Sequence, residues 1–181
     1  MPFASKGITD TVGEKALEIG DALLRVSENG RFPILCDMGP CLHHMKETLD
    51  SRLQLFEPIE FTLKFIADRL DFRRVPETVA IHTVCSAKKI GLEAKFQRLT
   101  EMCAHKVIAP EIICCSFAGD RGFTVPELNA FGLRRLKPQP TPAVRVGYST
   151  SRTCEIGLTA HSGIDYQSIR YLVDRCTRGK N

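Results

Sequence analysis

Four short apolar runs of this sequence end in or near cysteine, and this feature constrains the fold more than any other. The runs are rich in strand-forming residues, and segments with helical periodicity separate them. In a parallel sheet the carboxyl ends of the strands share one edge, where ligands collect. We therefore expect the cysteines to meet at that edge. The four runs are ILC (34–36), AIHTVC (80–85), EIICC (111–115) and VRVGYSTSRTC (144–154).

The alternation of helical and strand patterns predicts an α/β fold, with a largely parallel sheet flanked by helices and cysteines at the C-terminal ends of strands. Three prolines in Lys137–Pro142 exclude a helix interior or a central strand there, and predict a rigid loop. Because the segment after this loop is too short for a second core, we expect one domain over residues 1–181. Helices are predicted at 12–28, 57–70, 88–104 and 166–177, and strands at 32–36, 79–84, 107–114 and 143–148.

Composition limits the compartment and the partners. Eight cysteines in 181 residues are too few for a disulfide scaffold and many for a protein that uses cysteine only in packing. The sequence shows neither a signal-peptide pattern nor an apolar run near ~20 residues, which predicts a cytoplasmic protein without a membrane span. Residues 131–181 carry nine basic and three acidic side chains. They lack the dense basic stripe with aromatics that nucleic-acid binding needs, so no nucleic-acid partner is expected.

Four cysteines form the main candidate metal site. Thiolate sulfur suits iron–sulfur clusters, zinc and copper(I), and an iron–sulfur cluster typically needs about four cysteines. No C-x2-C pair occurs, which argues against a zinc ribbon or a thioredoxin-like dithiol. Turn residues follow each cysteine, and their N–H groups can stabilise thiolate charge. The four are Cys85, Cys114, Cys115 and Cys154, whose spacing is far more open than that of the compact ferredoxin motif.

Other residues have weaker claims to chemistry. Cys36 and Cys41 bracket a predicted Asp-Met-Gly-Pro turn, so they are either cluster ligands, a redox disulfide or parts of a structural loop. Adjacent helical residues point in different directions, which disfavours a shared ligand role for neighbouring histidines. The cysteines and histidines expected to serve packing or structure are Cys103, Cys176, His43, His44 and His82.

Two other functions stay open: a cysteine phosphatase, and a zinc-binding or scaffold module. Residues 115–121 fit C-x5-R, the loop in which a cysteine phosphatase would use Cys115 as nucleophile and Arg121 to hold phosphate. Gly122 stands where such a loop favours a hydroxyl residue, and the pattern does not explain Cys114. In an iron–sulfur protein, Arg121 and Asp120 would instead shape the cluster loop or pair with each other. The third possibility is a zinc-binding or scaffold module without redox activity.

Four strings occur in a fixed order: CDMGPC (36–41), HTVCSAKKIGL (82–92), CCSFAGDRGF (114–123) and STSRTCEIGL (149–158). In these strings the chain resembles the C-terminal cysteine-rich domain of flavin-linked, iron–sulfur D-lactate dehydrogenases. That domain belongs to the CCG-type group, with the cysteine-rich subunit of heterodisulfide reductase and the iron–sulfur subunit of glycolate oxidase. The resemblance covers about residues 32–175.

The resemblance implies a [4Fe–4S] cluster with Cys85, Cys114, Cys115 and Cys154 as ligands, and leaves Cys36 and Cys41 as further candidates. It implies an electron-transfer module of a D-lactate- or glycolate-type dehydrogenase, whose FAD lies on a flavin domain or partner subunit and which passes electrons to a downstream acceptor. The chain would then be the C-terminal piece of a larger oxidoreductase and inactive alone.

Two positions depart from the group's pattern. Ser116 follows the cysteine pair where the group has Gly, and Gly157 replaces the second cysteine of the final C-x-x-C. The missing cysteine argues against the non-cubane cluster of heterodisulfide reductase.

A four-cysteine cluster predicts sulfurs within about 7 Å of one another, and a separation above about 12 Å between Cys154 and the Cys114–Cys115 pair would contradict it.

Overall fold

The computed structural model describes residues 7, 9–119, 121–136 and 144–180. The predicted proline loop at 137–142, the first residue of the strand predicted at 143–148, and Asp120 lie outside this part of the chain. In chain order the elements are α1 (Thr9–Val26), β1 (Ile34–Leu35), α2 (Gly39–Thr48), β2 (Leu55–Phe56), α3 (Pro58–Phe61), a π-helical turn (Thr62–Ile66), a 3₁₀ turn (Ala67–Arg69), β3 (Leu70–Phe72), β4 (Val75–Ile81), α4 (Cys85–Lys89), α5 (Glu93–Cys103), β5 (Ala104–Ile108), α6 (Arg121–Thr124), α7 (Pro126–Gly132), β6 (Val144–Ser149), α8 (Arg152–Ser162), β7 (Asp165–Ser168), α9 (Ile169–Cys176) and β8 (Thr177–Gly179).

A four-stranded parallel sheet in the order β5-β4-β6-β7 forms the centre, which confirms the predicted α/β class. The alternation of β4 sends Val79 and Ile81 to one face and Ala80 to the other. Helices α5 and α9 cover the first face, where Phe96 and Leu172 are fully buried. Each buried side chain of this size contributes roughly 1.5–3 kcal/mol.

Two smaller sheets flank this core. Strands β1 and β2 pair in parallel, and β3 and β8 pair antiparallel. Next to β1 and β2, α1 and α2 pack around Leu42 in a separate apolar cluster. Helix α1 ends at Val26, two residues before the end predicted at 28, and Glu28, Asn29 and Gly30 after it adopt positive φ. Leu24 belongs to this cluster, but Leu17, placed on the same apolar face by periodicity, is 73% exposed.

Most predicted elements have different bounds in the structure. The strands predicted at 32–36 and 79–84 are β1 and β4, which end at Leu35 and Ile81, and the helix predicted at 57–70 is divided into α3, the π-helical turn and the 3₁₀ turn, with Leu70 in β3. The strand predicted at 107–114 is β5, which ends at Ile108, because Pro110 cannot donate to a ladder. The helix predicted at 88–104 is divided into α4 and α5 at Gly91, whose φ is +71°. The helix predicted at 166–177 begins only at Ile169, because residues 165–168 form β7 and Ser168 caps the helix.

Candidate metal centre

Four cysteines lie beyond the carboxyl ends of three adjacent strands. Cys85 is the first residue of α4, directly beyond β4. Cys114 and Cys115 lie in the loop that follows β5, and Cys154 is the third residue of α8, beyond β6. Because β5, β4 and β6 are parallel neighbours, these three chain segments reach the same edge.

The four thiols form a chain of contacts. The Sγ atoms of Cys115 and Cys154 are 2.9 Å apart. The Cys85 thiol donates to the carbonyl oxygen of Ile113 at 3.9 Å, and Cys114 lies close enough to Cys85 and Cys115 to shift the pKa of both. The 2.9 Å between Cys115 and Cys154 is far below the separation of about 12 Å that would contradict one shared cluster. Their role as ligands stays a prediction.

The thiols have unequal acidities. The hydrogen bond between the thiols of Cys115 and Cys154 lowers the pKa of Cys115, and the backbone of Phe117 lowers it further. The same bond raises the pKa of Cys154, and burial raises it further. Burial raises the pKa of Cys85 to about 11, with Cys114 as the next cause. In the metal-free chain, Cys115 is therefore the first of these three to become a thiolate.

The loop after the cysteine pair directs backbone N–H groups at sulfur. The N–H of Ser116 donates to Cys114 Sγ at 3.2 Å, and that of Phe117 donates to Cys115. Ser116, Ala118 and Gly119 have φ values of +55°, +51° and +72°. Successive N–H groups in such a turn form a concave site for negative charge. The loop therefore stabilises thiolates without using a charged side chain.

The positive φ at position 116 matters for Ser116, which stands where the CCG-type group has glycine. A non-glycine residue in the left-handed region costs roughly 1–2 kcal/mol, so a glycine is the natural residue at position 116. The serine fits because Gly132 leaves space for it. A Cβ atom at Gly132 would lie only 2.1 Å from Ser116 Oγ.

Packing explains the second departure. A Cβ atom at Gly157 would lie 2.6 Å from Asn129 Nδ2 and 2.9 Å from Phe117 Cδ2. Asn129 is buried and donates to the carbonyl oxygen of Cys115. A cysteine at position 157 therefore does not fit beside this buried amide and ring. No sequence pattern pointed to Asn129, because α6 and α7 were not predicted.

Cys36 and Cys41 lie near each other, on either side of the start of α2. The thiol of Cys36 donates to the carbonyl oxygen of Met38 at 3.7 Å, and burial raises the pKa of Cys41. The contacts that join the other four thiols in the described residues do not include this pair. Their ligand role stays a prediction.

Cys103 and Cys176 lie in the core, as the packing prediction requires, and they contact each other. Both are at most 2% exposed and belong to one buried cluster at the ends of α5 and α9, where the Cys176 thiol donates to the carbonyl oxygen of Val173 at 3.5 Å. The proximity of the two thiols raises the pKa of Cys103 and lowers that of Cys176. The sequence had no signal for the pairing, because the two cysteines belong to distant segments of the chain.

The histidines do not join the thiol contacts that are described. His43 Nε2 lies 3.7 Å from Glu47 on the same helix. His82 is 3% exposed, its Nε2 has no partner among the described residues, and burial lowers its pKa to about 4. It is therefore a neutral core histidine, as the sequence predicted, with one ring nitrogen that has no hydrogen-bond partner among the described residues.

Within the described ranges, no group of three or more His, Cys, Asp or Glu side chains is arranged around one point as the shell of a metal ion. The four thiols instead lie close to one another without surrounding a common point. Ligand sulfurs around one ion with bonds of about 2.3 Å would lie about 3.8 Å apart, which is wider than the 2.9 Å between Cys115 and Cys154. Binding of a metal or cluster thus requires these side chains to separate.

The structure does not favour a cysteine phosphatase. Cys115 is 3% exposed and hydrogen-bonded to Cys154, so its sulfur is not open to a substrate phosphorus. Arg121 is exposed at the start of α6, a helix of four residues. Its predicted pairing with Asp120 lies outside the described residues.

No protein-family model, curated protein or solved structure matches this chain. Among the helices of the described residues, none combines the length and apolar character needed to cross a bilayer.

Proposed function

We propose that this chain is the iron–sulfur electron-transfer module of a flavin-dependent D-2-hydroxy acid dehydrogenase of the D-lactate or glycolate type. One observation carries the proposal: thiols from three distant segments of the chain are in contact at one edge of the parallel sheet. Such convergence is what a shared cluster requires, and independent burial of single cysteines gives no reason for it. The order of the four motif strings supports the same family.

The donor set fits an iron–sulfur cluster. Four thiols, those of Cys85, Cys114, Cys115 and Cys154, match the ligand number and the softness that such clusters prefer. The N–H groups of Ser116 and Phe117 supply hydrogen bonds to sulfur, which influence reduction potential. When bound, the cluster supplies reversible one-electron transfer.

The chain's own residues hold and shield the site. Asn129 fixes the cysteine loop through the Cys115 carbonyl, and Phe117 is buried in the apolar cluster that also contains Cys115 and Ala80. Burial of Cys115 and Phe117 limits water at this side of the site. Cys85 and Cys114 are only partly buried, which leaves a side by which electrons can enter or leave.

The same proposal assigns the partners. FAD would lie on a flavin domain or partner subunit, and a downstream acceptor would receive the electrons. All eight cysteines are free, which suits the reducing conditions of the cytoplasm. No nucleic-acid partner is expected.

Anaerobic reconstitution with iron and sulfide tests the proposal. We expect wild-type protein to gain visible sulfur-to-iron charge-transfer absorption and an electron paramagnetic resonance signal on reduction. Replacing Cys85, Cys114, Cys115 or Cys154 with Ala should abolish both signals. Cys103→Ala is the matched control, because it removes a buried thiol outside the site, and it should take up as much iron as wild type.

Zinc analysis of the same samples separates the alternatives. Near-stoichiometric zinc without sulfide would identify a zinc or scaffold module. Equal iron uptake by wild type and the Cys154→Ala variant would contradict the assigned ligand set. Far-ultraviolet circular dichroism of each variant checks that a lost signal does not reflect a lost fold, since a core of this size does not need the metal.

A further inference from the structure

The sulfur atoms of Cys115 and Cys154 lie 2.9 Å apart, although the two cysteines are 39 positions apart in the chain. A disulfide bond is about 2.05 Å long. The two sulfurs therefore need to approach each other by less than about 1 Å to become covalently bonded. Such a movement is small enough for a rotation of the two side chains.

Other thiols are directed toward the backbone. The N–H of Ser116 donates to the sulfur of Cys114 at 3.2 Å. Three further thiols donate to carbonyl oxygens: Cys85 to Ile113 at 3.9 Å, Cys36 to Met38 at 3.7 Å, and Cys176 to Val173 at 3.5 Å. Cys115 and Cys154 differ from these, because their thiols are hydrogen-bonded to each other.

Packing holds the two cysteines in place. Both belong to one apolar cluster beside the central sheet. The side chain of Asn129 donates to the carbonyl oxygen of Cys115, and Leu158, one turn after Cys154 in α8, is fully buried in the same cluster. Because both chain segments are held by these contacts, the two sulfurs stay together in the folded, metal-free chain.

We propose that Cys115 and Cys154 are an oxidative modification site, at which a hydroperoxide forms a reversible disulfide in the metal-free chain. Cys115 is buried and Cys154 is partly exposed, so a small oxidant can reach the sulfur pair beside Cys154, whereas a bulky one cannot. The second thiol is already in contact with the first. It can therefore react with an oxidised sulfur before further oxidation occurs.

The reaction removes two electrons from the sulfur pair and reduces one hydrogen peroxide. The Cys115 thiolate attacks one peroxide oxygen, the O–O bond breaks, and a sulfenic acid forms at Cys115 while hydroxide leaves. The Cys154 thiol gives its proton to this hydroxide, and its sulfur attacks the sulfenic sulfur. The S–S bond forms as the S–O bond breaks, and the second hydroxide takes up the proton that Cys115 had released. Two thiols and one peroxide thus give one disulfide and two waters.

The disulfide would remove two of the four proposed cluster ligands. An oxidised chain could then hold no four-cysteine cluster until a reductant restores the thiols. This consequence rests on the proposed function, whereas the disulfide itself does not. The bond would also close a long loop and restrict the unfolded chain, so it should stabilise the fold.

Peptide mapping of the reduced, metal-free chain before and after treatment with hydrogen peroxide tests the site. Free thiols are blocked with N-ethylmaleimide in denaturant before digestion. Trypsin, which cuts after Lys and Arg, leaves Cys154 in fragment 153–170 and both Cys114 and Cys115 in fragment 107–121. We expect peroxide to link the two fragments, tandem mass spectrometry to place the link at Cys115, and dithiothreitol to release it.

The adjacent cysteine provides a matched control. Cys114→Ala removes a thiol from the same fragment and should leave the link intact, whereas Cys115→Ala should abolish it. Urea unfolding gives a second readout. Peroxide should raise the unfolding midpoint of wild type and of Cys114→Ala, because the loop is closed, and should not raise that of Cys115→Ala.

Three results would overturn the proposal. These are recovery of Cys154 as the maleimide adduct after peroxide treatment, a link from Cys154 to Cys114 or Cys85 in wild type, or a lower urea midpoint of oxidised wild type. Mapping of the wild type decides the first two without any variant. Because the chain is tested without iron, failure here leaves cluster reconstitution unaffected, and failure of reconstitution leaves the disulfide result intact.

Discussion

Glu57 carries a carboxyl group whose burial should make the stability of this protein depend on pH. The residue is 0% exposed and caps α3, with one carboxyl oxygen accepting from the N–H of Ile59 at 2.8 Å. The other oxygen has no partner among the described residues. Burial raises the pKa of Glu57 from 4.5 to about 7.

The shift fixes the direction and size of the effect. Between pH 4.5 and 7 the unfolded chain releases a proton that folded Glu57 keeps, so stability falls as the pH rises. The stabilisation is fully present below pH 4.5 and is lost above pH 7. The shift corresponds to about 3 kcal/mol, of which about 2.5 kcal/mol falls between pH 5 and 8.

His82 contributes with the opposite sign. Burial lowers its pKa from 6.5 to about 4, so the unfolded chain gains a proton below pH 6.5 that the folded chain excludes. Stability from this group is lost as the pH falls. The two effects oppose each other in the wild-type profile, and a variant is needed to separate them.

Urea unfolding of the reduced chain at pH 5 and pH 8 provides the assay. Glu57→Gln keeps an acceptor for Ile59, and its stability relative to wild type should increase by about 2.5 kcal/mol from pH 5 to pH 8. Glu77→Gln is the control, since Glu77 pairs with Arg175 at the surface, and its difference from wild type should change by less than about 1 kcal/mol. A pH-independent difference for Glu57→Gln would refute the reasoning.

Three substitutions test the packing around the thiols. Ser116→Gly should raise the free energy of unfolding by about 0.5–1 kcal/mol in urea titrations, because it relieves a positive φ; a decrease would count against that strain. Gly157→Cys should lower it by about 2 kcal/mol through overlap with Phe117 and should add no iron; increased iron uptake would show that a fifth thiolate fits. Cys103→Ala should cost about 1–2 kcal/mol in the same titration, with unchanged iron uptake; a loss of iron would place this cysteine in the site.

The sequence pattern predicted the parallel sheet and the edge at which the thiols gather. The apolar run that includes the end of β4 and the cysteines beyond the strands carry this information locally. Parallel pairing then brings Cys85, Cys115 and Cys154 together without any further signal.

What the sequence could not predict depends on contacts between distant residues. The pairing of Cys103 with Cys176 follows from the packing of α5 on α9, which no local pattern records. The bond from Asn129 to Cys115 needs α7 to fold back on the loop. Residues 166–168 were predicted as the start of a helix, but they belong to β7, which pairs in parallel with β6.

The most direct test of the central proposal is the measurement of iron and acid-labile sulfide per chain after anaerobic reconstitution. We expect about four of each in wild type, as a cubane cluster requires, and a near-complete loss of both in Cys154→Ala. Protein that retains its fold but binds iron without sulfide, or binds neither, would contradict an iron–sulfur role for the four thiols.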